Sequence, residues 1–230
     1  MKKCIVTGAA GFTGCNLVER LLAAGYFVYC VVRENSVHNK RLENLANVQL
    51  VYADLAEYKN LYQQIQEPCE VFFHLAWQGG RYDFAAQYQN IEDTLGALEA
   101  AKEIGCKRFV CTGSQAEYGP HQDLITEETC PYPIDAYGSA KLAACILTRQ
   151  RAMDMGTDFQ PLWQIRANWA DVARAGCLLA GRERLLYAVR WPAELGLSQC
   201  YRWCRSIDSL RRKRKKTARF TISPAENTSH

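Results

Sequence analysis

Thr7-Gly8-Ala9-Ala10-Gly11-Phe12-Thr13-Gly14 follows the apolar run Cys4-Ile5-Val6 and leads into Leu17, Val18, Leu21 and Leu22 at helical spacing. The order is strand, glycine turn, helix. Gly8 can take the positive φ of a tight turn, Gly11 lets the backbone approach a pyrophosphate, and Gly14 lets helix and strand pack closely. Phosphates would sit on the free N–H groups that open the helix, where Phe12 and Thr13 stand. A second apolar run, Phe27 to Val32, follows Gly25 and completes a βαβ unit. The spacing is G-x-x-G-x-x-G, and context gives it weight: a strand precedes it, an apolar-striped helix follows, and a second strand ends where a ribose-reading residue belongs, ~20 residues on.

Working outward, Val48 to Ala53 predicts a third strand running into Asp54-Leu55. A carboxylate at such a strand end can accept from an adenine amino group, and a plain helix N-cap would look the same. Glu57 to Ile65 reads as a helix stopped by Pro68, and Glu70 to Ala76 as a fourth strand, apolar enough to be buried on both faces. His74 reads as structural. Gln87 to Ile104 is a long helical pattern closed by Gly105, Phe109 to Thr112 a fifth strand, and Asp135 opens a helix running to about Met153. Strands alternating with helices in this way specify a doubly wound parallel sheet of the Rossmann type, with ligands beyond the carboxyl ends of the strands.

Tyr137 and Lys141 are four apart, so both lie on one face of the last helix. Gly138 between them would let that face approach a flat ligand. Tyrosine by itself is a poor base near neutrality, and a lysine ammonium one turn away favours the phenolate. Ser114, at the end of the fifth strand, could hold a substrate oxygen in line. Such a trio suits proton transfer to or from a sugar or alcohol oxygen.

From Lys3 to about Met153 the chain resembles the extended short-chain dehydrogenase/reductases, also called the NAD-dependent epimerase/dehydratase family. That family's T-G-x-x-G-[FY]-x-G stands as Thr7 to Gly14, its D-L as Asp54-Leu55, its H-x-A as His74 to Ala76 and its helical N as Asn90. Its S-x-x-x-Y-G stands as Ser114 to Gly119, and its Y-x-x-x-K as Tyr137 to Lys141. The resemblance implies that Tyr137 is the general acid/base, that Lys141 tunes it and binds the nicotinamide ribose, and that Ser114 orients the substrate. It further implies a nucleotide-sugar substrate, NAD(P)-dependent epimerase or 4-keto reductase activity, and a homodimer built on the two long helices. Sugar-dehydrating members carry Asp-Glu directly after the strand-end Ser or Thr. Gln115-Ala116 stands here, which disfavours a 4,6-dehydratase. NAD-preferring members end the second strand with an acid; Val32-Arg33 stands here, and arginine suits the 2′-phosphate of NADP, so NADP is favoured over NAD.

The 230 residues carry a net charge of +4, unevenly spread. Up to Met155 there are 14 Lys and Arg against 18 Asp and Glu; from Gly156 on there are 14 against 6. Residues 1–155 are expected to form the cofactor-binding domain with the catalytic trio. Residues 156–230 are expected to be an incomplete or atypical basic substrate domain, partly disordered, arising from a frameshift or truncation of the coding sequence. Asp158-Phe159 could begin a sixth strand, and a cofactor-binding protein without turnover is the alternative reading. No apolar run approaches the ~18 residues of a membrane span, and Met1-Lys2-Lys3 leads into a core strand, so a cytoplasmic protein with free thiols is expected. Cys200 and Cys204 have no second ligand pair beside them, so no metal site is expected. The basic run Arg211 to Lys216 stands alone without interleaved aromatics, so nucleic-acid binding is disfavoured.

Overall fold

The apolar runs from Cys4 to Thr112 become strands, and the helical patterns between them helices, in the computed structural model, which describes residues 1–120, 124–127, 129–164 and 196–198. The strand β1 (Lys3–Thr7) passes through the glycine turn into α1 (Phe12–Ala23), and β2 (Phe27–Val32) and β3 (Val48–Tyr52) follow. Then come β4 (Val71–His74), α2 (Phe84–Glu103), β5 (Arg108–Ser114), β6 (Leu124–Glu127), α3 (Ala136–Met155), β7 (Asp158–Gln164) and β8 (Gly196–Ser198). Six of the strands form one parallel sheet in the order β3-β2-β1-β4-β5-β7. The order reverses between β1 and β4, and a crevice opens beyond strand ends at such a switch point.

Because side chains alternate across a strand, the sheet builds two cores. Ile5, Val31, Phe72 and Phe109 face Leu98 and Ala101 of α2, while Val6, Val28, Phe73 and Val110 face Leu17, Val18 and Leu21 of α1. Burial on both faces explains why these strands read as continuous apolar runs.

Several boundaries differ from those read in the sequence. The Asp83 side chain accepts from Ala86 N, so α2 starts at Phe84 rather than Gln87. The helix expected over Glu57 to Ile65 is present as a 3-10 helix, Leu55–Gln63. The strand β5 runs on through Ser114.

Beyond Gly156, β7 pairs in register with β5 from Arg108↔Asp158 to Ser114↔Gln164, so the sheet continues past the 155/156 boundary. The chain divides into two units, Met1–Gly119 with Tyr132–Ala188 and Pro120–Pro131 with Val189–His230. In the second, β6 and β8 pair in parallel. The basic run at Arg211 to Lys216 lies outside the described residues.

Candidate active site

The glycine turn is built as a cradle. Gly8 sits at φ +65°, and a Cβ there would come within 3.0 Å of Ala76 N. A Cβ on Gly14 would lie 2.2 Å from Gly8 O and 2.7 Å from Ala9 Cα, so only glycine lets α1 start this close to the strand. Gly11 donates its amide to Gly8 O at 3.0 Å and caps α1 without any side-chain bond. The amides that open α1 therefore meet no capping side chain, as an anion site at a helix N-terminus requires.

A cleft of about 460 Å³ runs from this turn along the strand ends. Gly8 and Gly11 line it at one side, Arg33, Ser36 and His38 at the end of β2, Leu55 after β3, and Ala76 and Trp77 after β4. Of the residues expected to bind a cofactor, Gly8, Gly11, Arg33, Leu55 and Ala76 thus share one cleft. Phe12 is exposed at the start of α1, Thr13 is half-buried beside it, and Gly14 is buried beneath the turn. Asp54 is exposed, and its amide donates to Glu57 Oε2 at 2.8 Å, as an N-cap residue's would. A Rossmann-type cradle with a cleft of this extent fits a nicotinamide dinucleotide.

His74 is fixed by the interior. Thr94 Oγ1 donates to Asn90 O at 2.7 Å, so it accepts from His74 Nε2, and Thr7 Oγ1 then donates to His74 Nδ1 at 3.0 Å. The same Thr7 oxygen accepts from the amides of Leu75 and Ala76, which ties the end of β1 to the end of β4. Burial, with the Lys141 charge second, pushes His74 down to about 3, so the ring is neutral and structural.

Beyond Trp77 lie the residues read as catalytic. Lys141 is 3% exposed; its Nζ donates to Thr112 O at 3.0 Å and stands 3.6 Å from the centre of the Trp77 ring. Burial lowers the lysine to about 8, against opposing effects of Cys111, Glu117 and Cys145. Tyr137 meets the same indole edge to face, at 6.1 Å between centroids, and the Arg81 guanidinium lies 5.4 Å from the tyrosine ring. Arg81 also pairs with Asp135, whose other oxygen caps α3 by accepting from Gly138 N at 2.7 Å. Ser114 Oγ accepts from Ala116 N at 3.2 Å, and Ser114 N donates to Glu117 Oε1 at 2.6 Å.

One expectation is corrected. Gly138 makes its close approach to protein, not to a flat ligand: a Cβ there would lie 2.3 Å from Ala116 O. The missing side chain seats α3 on the turn that follows Ser114, bringing Ser114 and Tyr137 to the same end of the sheet. Two participants were missed in the sequence. Trp77 directly follows the H-x-A motif, and Glu117 completes an S-x-x-E capping box with Ser114, a spacing visible in the chain.

Residues 4–162 match the NAD dependent epimerase/dehydratase family. The chain belongs to that family. A UDP-arabinose 4-epimerase of Arabidopsis thaliana is 34% identical over 154 residues, 61% of this chain and 37% of that protein. The GDP-mannose 4,6 dehydratase of Homo sapiens is 33% identical over 161 residues, 61% of this chain and 43% of that protein. Among solved structures, the UDP-glucuronic acid 4-epimerase of Bacillus cereus in complex with NAD is similar with a TM-score of 0.61 at 26% identity, over 70% of this chain and 55% of that one. The chain thus spans less than half the length of these two curated relatives. No helix among the described residues is long and apolar enough to cross a membrane, and no group of metal-ligating side chains is found among them.

Proposed function

We propose that this protein is a nicotinamide-dependent epimerase or 4-keto reductase acting on a nucleotide-linked sugar, with Tyr137 as general acid/base. The observation that carries the reading is the single chain of contacts from cleft to acid/base pair: Gly8, Gly11 and Ala76 line the cleft with Trp77, and Trp77 touches Lys141 and Tyr137. Gly8, Gly11 and Gly14 with the opening amides of α1, at Phe12 and Thr13, hold the pyrophosphate; Asp54 and Leu55 border the adenine. A bound nicotinamide supplies the hydride donor or acceptor. Lys141 anchors the nicotinamide ribose, Tyr137 moves the proton on the substrate oxygen, and Ser114 orients that oxygen. Gln115-Ala116 stands where dehydratases place their acid pair, so epimerisation or reduction is preferred to dehydration.

NADP is the preferred dinucleotide in this reading, because Arg33 is exposed and lines the cleft at the end of β2. Arg33→Ala should lower NADPH affinity by roughly tenfold to a hundredfold, the worth of ~1.5 to 3 kcal/mol for a bond to a charged group, and leave NADH affinity alone. An unchanged ratio of the two affinities removes Arg33 from the choice.

Tyr137→Phe should lower turnover of keto-sugar nucleotides by ~10² to 10⁴ while leaving cofactor binding intact. A fully active variant removes Tyr137 from the mechanism. The same proposal includes a cytoplasmic homodimer joined through α2 and α3, which pack together and expose Tyr88, Leu147 and Met153. It also includes two functional parts, residues 1–155 for cofactor and proton transfer and 156–230 as a departed substrate domain, with β7 as the sheet's last strand. Reading the coding DNA downstream of Gly156 in the other two frames tests the frameshift: neither frame restoring the family's Tyr-Gly turn would count against it.

A further inference from the structure

Lys141 poses an electrostatic problem. A buried ammonium loses its hydration, and among the described residues Thr112 O accepts from one of its three N–H groups at 3.0 Å. Among the described residues it is faced by Cys111 from β5, Glu117 from the turn after β5, Cys145 from α3 and His74 from β4. Burial holds Glu117 up at about 8 and Cys111 at about 11, and His74 is held at about 3. Cys111 and Glu117 favour the ammonium from the side of β5, and the neutral His74 supplies no counter-charge to it.

What does face the ammonium is the Trp77 ring, 3.6 Å from Nζ. The face of an indole carries negative potential, and its attraction for a cation is strongest where water is excluded. The ring is also locked. Its Nε1 donates to Gln87 Oε1 at 2.8 Å, and the buried Gln87 amide donates in turn to Gly80 O at 2.9 Å. The helix α2 thus sets the orientation of a ring that belongs to the loop after β4.

We propose that Trp77 is a positioning residue of this site: its indole face keeps the Lys141 ammonium charged and aimed at the nicotinamide end of the cleft, and its edge fixes the Tyr137 ring. The catalytic meaning of this rests on the role proposed above for Lys141. The test does not, because it is made on the free protein without cofactor.

The full chain, labelled with [13Cε]-lysine, is titrated by NMR, the Lys141 resonance being identified by its loss in Lys141→Arg. In the wild type the lysine should titrate at about 8. Trp77→Leu removes the ring, and the midpoint should move about one pH unit to the acid side, the shift that a desolvated cation–π contact is worth. Trp77→Phe keeps a weaker ring face and should fall between the two. A Trp77→Leu midpoint equal to that of the wild type overturns the proposal. Should that variant fail to fold, Trp77→Phe decides alone: a midpoint below the wild type supports the clamp, and an unchanged one overturns it.

Discussion

Glu117 is a carboxyl group whose chemistry departs far from its type. One carboxyl oxygen accepts from Ser114 N, and the other is buried with no hydrogen-bond partner among the described residues. Burial, opposed by the Ser114 amide and Lys141, raises the group to about 8 from an ordinary 4.5. Between those values the folded chain keeps the proton and the unfolded chain releases it, so the stability present below pH 4.5 is lost as pH rises towards 8. His74 acts in the opposite sense: it is neutral when folded, so stability falls as pH drops from 6.5 towards 3. Comparing two proteins isolates the glutamate. From pH 5.5 to 8 the melting temperature of the wild type should fall more steeply than that of Glu117→Gln, by an amount on the order of a few kcal/mol in stability. Parallel curves would mean that Glu117 is ionised throughout. The sequence places Glu117 three residues after Ser114, but burial is a property of the packed turn and is not written in that spacing.

At the scale of elements, the contact between α3 and the turn after β5 decides whether the helix that carries Tyr137 meets Ser114. A Cβ at Gly138 would lie 2.3 Å from Ala116 O and 2.9 Å from Ala116 C, which are backbone atoms without a rotamer to yield. Gly138→Ala should therefore cost about 1–3 kcal/mol, the usual range for overpacking, and should also lower turnover by moving Tyr137. Calorimetry together with kinetics checks both halves, and an alanine variant of wild-type stability and rate would show that the helix has room to shift. The strands were legible because burial on two faces writes continuous apolar runs. The start of α2 was not, because Asp83 caps it from within a polar stretch whose residues have no apolar period. Gly138 was legible as a close approach, but its partner is a carbonyl brought near by the fold, about 20 residues back in the chain.

For the whole molecule, the parallel sheet was legible in the alternation of strands and helices and its ligand edge in the glycine turn, whereas the strand order and the reversal between β1 and β4 come from the fold. The cleft at that edge gathers Gly8, Gly11, Arg33, Leu55 and Ala76 from four separate strand ends. Sequence showed each of them singly; Trp77, which links them to Lys141 and Tyr137, needed the fold to bring the loop after β4 against α3. The central claim is that this cleft holds a nicotinamide dinucleotide. Titration of the full chain with NADPH and NADH, followed by isothermal calorimetry, tests it most directly: saturable binding at one site per chain, tighter for NADPH, is the predicted result, and no saturable binding of either dinucleotide would contradict it.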